Sequence, residues 1–284
     1  MSKKKLNFLI TGLILCVLPA FSIKERGDKE PETKVVLETS LGKIKLKLYN
    51  ETPKHRDNFI KLVKDHFYDG VLFHRVIQSF MIQSGDPDSK NAKQGAMLGN
   101  GEFGSTLPAE FDPKLFHKMG ALAAARQGDD VNPKKESSGC QFYIVQGRPF
   151  TDSLLNLQEQ RINNYSKQMI CNNLLGMPEN AKDKERVLAF QQTRQMDSLL
   201  AVIAKYQPAV EAEFAKTTPY KFSDEQRKAY TTLGGAPHLD GSYTVYGEVL
   251  EGMDIVDKIA AVQVDGNARP VEDVRIIKAY IVKK

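Results

Sequence analysis

Residues 151–232 run for 82 positions with a single glycine, Gly176, although the whole chain of 284 residues has 20. Apolar residues recur there at helical spacing: Leu154, Leu155, Leu157, Ile162, Tyr165 and Met169, then Leu188, Met196, Leu199, Leu200, Ile203 and Tyr206. Acidic and basic residues are mixed between them, as on exposed helix faces. Pro178 and Pro208 are expected to divide the stretch into about three helices.

On both sides of this stretch the pattern is that of strands. Residues 35–39 are strand-like, and 43–48 alternate strictly. Alternation puts Ile44, Leu46 and Leu48 on one face and three lysines on the other, which predicts an antiparallel hairpin with one wet face. Thr52-Pro53 opens a helix with Thr52 as cap, and Phe59, Leu62 and Val63 form its apolar stripe. Residues 71–77, 80–83, 120–126, 141–145, 243–246 and 274–281 are further short apolar runs. Length alone suggests two domains. A strand-rich fold over 35–150 and 233–284, interrupted by an all-α insertion over 151–232, explains the order of patterns better than two domains in series.

Hydrophobic residues at 41% and charged residues at 26% give enough material for a packed core and argue against disorder. Three cysteines exclude a disulfide scaffold and a multi-cysteine zinc module. The net charge of +5 includes Lys3, Lys4 and Lys5, which precede an apolar run over 6–21 ending in small residues. That pattern predicts a secretory signal peptide over 1–22, then a flexible leader over 23–34 and an exported, periplasmic or secreted protein. The alternative is an uncleaved membrane anchor, for which a run of 16 residues is short of the ~20 needed. Removal of the signal leaves +2, too little to support nucleic-acid binding. Any membrane contact is then transient, through the signal. Cys140 and Cys171 read as small buried hydrophobes, with their pairing left open.

The chemistry is concentrated in Phe73-His74-Arg75-Val76-Ile77, in Phe80-Met81-Ile82-Gln83-Ser84-Gly85-Asp86, in Gln141-Phe142-Tyr143-Ile144, and in Leu239-Asp240-Gly241. In these four ordered motifs the sequence resembles the cyclophilin family of peptidyl-prolyl cis/trans isomerases. The resemblance implies a mainly β fold, a closed antiparallel barrel capped by helices, that rotates X–Pro bonds in polypeptide clients without metal or cofactor. Arg75 matches the family's catalytic arginine. Phe80, Met81, Phe142 and Leu239 match its proline pocket, Gln83 its substrate-backbone anchor, and Gln141, in the same motif as Phe142, its substrate-binding set. Ala125 and Arg126 match the segment that pairs with the substrate backbone. Alternation puts Gln83 on the same face as Met81 and turns His74 away from Arg75, so His74 reads as a satisfied core histidine. Asp86 reads as a loop hydrogen-bonder. The remaining histidines show no metal-ligand spacing.

Three positions depart from the family pattern. His238 stands where many relatives have a tryptophan, which predicts weak cyclosporin binding. Tyr243 replaces a pocket histidine but can still close the slot. Cys140 stands where serine is frequent. The insertion should lie beside the active-site rim, either extending the client-binding surface or packing only on itself. The rival functional reading is a non-catalytic client-binding chaperone of the same fold; a secreted ligand-carrying barrel would leave the Arg- and Gln-bearing motifs unexplained.

Overall fold

The computed structural model describes residues 31–282, so the signal peptide expected over 1–22 and the leader up to residue 30 lie outside the described residues. The first described strand, β1, is Lys34–Thr39, one residue earlier than the sequence pattern suggested. It turns into β2, Gly42–Leu48, where Ile44, Leu46 and Leu48 are buried as alternation required. The outward lysines find acidic partners on a third strand, Lys45 with Glu251 at 2.7 Å and Lys47 with Glu248 at 2.8 Å.

Helix α1, Pro53–Lys64, starts where expected, but the Thr52 side chain makes no capping bond. A distant carboxylate takes that role. Glu110 accepts from the Lys54 and His55 backbone N–H groups at 3.1 and 3.0 Å, and from His55 Nδ1 at 2.7 Å. An ionised acceptor suits the orphan donors and positive dipole end of a helix better than a hydroxyl.

The remaining strands are β3 (Phe73–Ile77), β4 (Met81–Ser84), β5 (Ala121–Ala124), β6 (Phe142–Val145), β7 (Val245–Glu251) and β8 (Ile276–Ile281). All pairings are antiparallel, in the order β3-β4-β6-β5-β7-β2-β1-β8. The expected closure of the barrel is not made. β3 and β8 do not pair along their length; the residues leading into them meet at an isolated bridge, Leu72↔Arg275, beside bonds such as Phe73 N–H to Val274 O at 2.8 Å. Farther along, the free edge of β3 is taken by a turn instead: Val76 N–H donates to Ala268 O at 2.8 Å. The sheet is therefore a curled, open half-barrel.

Its concave core joins the inner strand faces to α1 and to a helix that the sequence reading passed over, Met253–Ala260. That helix buries Ile255, Val256, Ile259 and Ala260. A second apolar cluster, including Met81, Tyr143, Leu239 and Val245, lies apart from it and carries the site described below.

Residues 151–232 are helical as expected, but in five α-helices where about three were expected. They are α2 (Asp152–Leu175), α3 (Ala181–Gln192), α4 (Met196–Ala204), α5 (Gln207–Phe214) and α6 (Asp224–Thr232); Met253–Ala260 is then α7. Two of the breaks are extra, and only the first lacks proline. One is Arg194, at φ 57°, a left-handed conformation that interrupts a helix. The other is the connection before α6, which holds Pro219, and the helix restarts on a capping box between Ser223 and Gln226. Cys171, Leu175, Val187, Leu199, Val202 and Val210 form a cluster of their own. Leu155, Phe222 and Tyr230 instead pack on Phe116 of the sheet region, and the described residues from 32 onward form one compact unit. Cys140 and Cys171 are both free and buried, in different clusters.

Candidate active site

On the outer face of β3, β4, β6 and β5, a pocket of about 170 Å³ is lined by Arg75, Phe80, Met81, Gln83, Ala125, Arg126, Tyr143, Leu239 and Tyr243. Its placement follows from register. In the β3–β4 hairpin Arg75 pairs with Gln83 and Ile77 with Met81, so alternation carries Arg75, Met81 and Gln83 to one face. The hairpin turn holds Ser79 at φ 62° and is clamped by Gln146, whose side-chain carbonyl accepts from Ser79 N–H at 2.7 Å. Gln146 N–H and Gly147 N–H both donate to Phe80 O, at 3.0 and 2.9 Å, which fixes Phe80 at the rim.

Arg75 is exposed, and its guanidinium is steered by one amide chain. Arg75 donates to Gln83 Oε1 at 3.3 Å, Gln83 Nε2 donates to Gln141 Oε1 at 3.0 Å, and Gln141 Nε2 donates to the carbonyls of Gly99 and Gly101 at 3.0 and 2.7 Å. Asp86 holds that glycine loop in turn, accepting from Gly99 N–H and Gly101 N–H. It is the loop hydrogen-bonder that the sequence suggested. Gly85 has to be glycine here. Its φ is 102°, and a Cβ would lie 2.3 Å from the Cys140 carbonyl oxygen. The chain of amides leaves most of the Arg75 donors free toward the pocket.

Arg126 is the opposite case. Its side chain is 5% exposed, donating to Ser242 O at 2.7 Å and to Gln127 O at 2.8 Å, and pairing with Asp129 at 2.7 Å. The guanidinium lies 4.5 Å from the centroid of the Tyr243 ring. Arg126 thus fastens Tyr243 against the pocket and keeps few donors for a ligand.

Three sequence assignments are corrected. Phe142 does not reach the pocket: it faces the concave core, edge-on to Phe59 and Tyr68 at 5.4 and 5.3 Å. Tyr143, the next residue and hence on the other face, lines the pocket in its place. Alternation counted from Gln141 was the signal that would have found it. Gln141 lies behind the pocket, holding Gln83 without lining the slot. His74 is buried as expected, but it is not satisfied. Neither ring nitrogen has a well-formed hydrogen-bond partner, and burial lowers its pKa from 6.5 to about 4. Cys140 is pushed up to about 11 by burial, which leaves the thiol unreactive.

A buried relay that the sequence gave no sign of supports the pocket from behind. Tyr143 Oη lies 3.0 Å from His117 Nε2, and His117 Nδ1 lies 2.8 Å from Asp240 Oδ1. Tyr230 on α6 donates to Asp240 Oδ2 at 2.6 Å. Burial raises the Tyr143 and Tyr230 hydroxyls far above the ordinary range, so both stay protonated. The relay ties α6 to the floor of the slot and to Leu239, the neighbour of Asp240.

No group of three or more metal-ligating side chains occurs among the described residues, and no described helix is long and apolar enough to cross a membrane. What the site presents is a small greasy slot with one free guanidinium at its mouth.

The family model for cyclophilin type peptidyl-prolyl cis-trans isomerases matches residues 34–164 and 220–281. A Staphylococcus epidermidis protein, provisionally named a peptidyl-prolyl cis-trans isomerase, is 31% identical over 249 residues, spanning 87% of this chain and 91% of its own length. A Staphylococcus haemolyticus protein of the same provisional name is 29% identical over 87% and 90%. A solved Cryptosporidium parvum cyclophilin type peptidyl-prolyl cis-trans isomerase superposes with TM-score 0.51 at 17% identity, covering 89% of this chain and 99% of that one. At that identity the likeness is one of fold.

Proposed function

The chain belongs to the cyclophilin-type peptidyl-prolyl cis-trans isomerase family, and we propose that it catalyses X–Pro rotation in exported polypeptides and so assists their folding. Rotation about an X–Pro bond meets a barrier of about 18–20 kcal/mol, because the amide nitrogen shares its lone pair with the carbonyl. A catalyst needs no covalent bond. It needs to bind the twisted, pyramidal-nitrogen state better than either planar isomer. The observation that carries the reading is Arg75, a permanent cation with free donors at the mouth of an apolar slot, aimed by Gln83 and Gln141.

In this mechanism the proline ring enters between Phe80, Met81, Tyr143, Leu239 and Tyr243. Arg75 donates to the prolyl nitrogen as its lone pair localises, and Gln83 and the backbone at Ala125 and Arg126 orient the flanking chain. Because these dipoles are already in place, they need no reorganisation as the bond twists. The test is the exchange rate of a short X–Pro peptide by NMR, with the wild-type chain and with Arg75→Ala. Loss of this donor should cost about a hundred- to a thousandfold in kcat/KM. A wild-type rate no greater than that of Arg75→Ala would replace this reading with a non-catalytic client-binding module.

Export is supported by the lysine-led apolar run over 1–22; a protein recovered from the cell envelope with an N-terminus after residue 22 is the expected result. Weak cyclosporin binding is supported by His238, whose ring lies 5.2 Å from Phe80 and offers less apolar area than an indole. An affinity equal to that of a tryptophan-bearing relative would contradict it.

A further inference from the structure

A groove of about 650 Å³, much larger than the slot, runs between α2, the end of α5 and the loop 238–242. Its apolar wall includes Tyr165, Met169 and Phe214, and Tyr165 and Met169 are left 48% and 42% exposed. Its charge is cationic. Arg161 makes no ion pair among the described residues, and Lys135 reaches Asp129 only at 4.0 Å. Asp240, the one carboxylate of its lining, is already held by His117 and Tyr230.

The groove is continuous with the slot. His238 lines the groove while its ring packs on Phe80 at the rim of the slot, and the neighbouring Leu239 and Tyr243 line the slot itself. The shared wall is fixed, since Asp240 is held by the buried relay and Ser242 O accepts from Arg126 Nε at 2.7 Å. An extended chain advances about 3.3 Å per residue, so a polypeptide with its proline in the slot crosses this wall within a few residues.

We propose that this groove seats the client chain beyond the proline, selecting an extended segment with an aromatic residue close to an acidic one. This rests on the isomerase reading above. Met169 and Tyr165 supply adaptable apolar surface for the ring, and Arg161 and Lys135 supply the countercharge for the carboxylate.

The experiment compares twelve-residue peptides that share one X–Pro centre and are extended on either side by Phe and Glu, by Phe and Lys, or by Gly and Ser only. Affinity is read by fluorescence anisotropy and isomerisation by exchange NMR, using the full chain. The Phe/Glu extension on one side should bind about tenfold tighter than the Gly/Ser control, and Phe/Lys should recover only part of that gain. In Arg161→Glu and in Met169→Asp the ratio should collapse toward one. Both residues are exposed on α2, and circular dichroism reports whether each variant is folded; Lys135→Glu serves as a third. No gain at either end, or a gain that survives in the variants, overturns the groove assignment. A gain lost only in Phe111→Ser would move the client to the neighbouring cavity of about 730 Å³, and also overturns it. Tight Phe/Glu binding without isomerisation of any peptide would uphold the groove and fail the isomerase reading.

Discussion

In β2 the side chains of Ile44, Leu46 and Leu48 have no exposed surface at all, while in α2 Leu154, Leu157, Tyr165 and Met169 stay between 42% and 48% exposed. Both stretches are patterned with apolar residues at the period of their own secondary structure. The difference lies in what covers them. The sheet curls around α1 and α7 and closes its concave face, and its other face carries the slot. The helices over 151–232 have only a thin shared cluster and leave apolar rows uncovered. Rigid positioning of Arg75 belongs to the first region, and spare adhesive surface belongs to the second.

This contrast can be broken most directly by core truncation. Phe142→Ala removes a ring packed on Phe59 and Tyr68 and should cost about 3–5 kcal/mol. Leu199→Ala, in the helical cluster, should cost about 2 kcal/mol, because a thinner surround collapses more easily onto the gap. Denaturant titration of both variants checks this. Equal losses would mean that the helices are as tightly built as the sheet.

Acid should also attack the sheet first, since residues 151–232 contain no histidine. His74 is held neutral, with its pKa lowered from 6.5 to about 4 by burial. The unfolded chain therefore takes up this proton first as pH falls. The stabilising contribution is complete above about pH 7, and it is lost through 6.5 down to about 4, amounting to about 3 kcal/mol. His74→Leu should flatten that slope. A slope unchanged in the variant would locate the acid sensitivity elsewhere.

The smallest effect probes the joint between the two regions. Tyr230→Phe leaves Asp240 Oδ2 without its donor and should cost about 1–3 kcal/mol in stability. It should also raise KM for a short X–Pro peptide more than it lowers kcat, because it loosens Leu239 and Tyr143 without touching Arg75. Loss of stability with KM unchanged would make the relay a strut with no hold on the slot.

How much of this was legible in the sequence depended on the range of the interaction. The hairpin, the helical character of 151–232 and the shared face of Met81 and Gln83 came from periods of two and 3.6, which are local, whereas Arg75 joined that face through the β3–β4 register. Phe142 was misplaced because a motif match was preferred to the alternation that pointed to Tyr143. The Glu110 cap on α1 joins positions 55 apart and the His117–Asp240 contact positions 123 apart, and no local pattern marks either.

The sequence by itself determined the family, the strand and helix periods and the guanidinium at the heart of the site, because backbone geometry reads neighbouring residues directly. Only the tertiary structure decided that the half-barrel stays open, that Arg126 is occupied while Arg75 is free, and that α6 braces the slot. Those outcomes depend on which polar groups meet once water is excluded, and folding brings such partners together from anywhere along the chain.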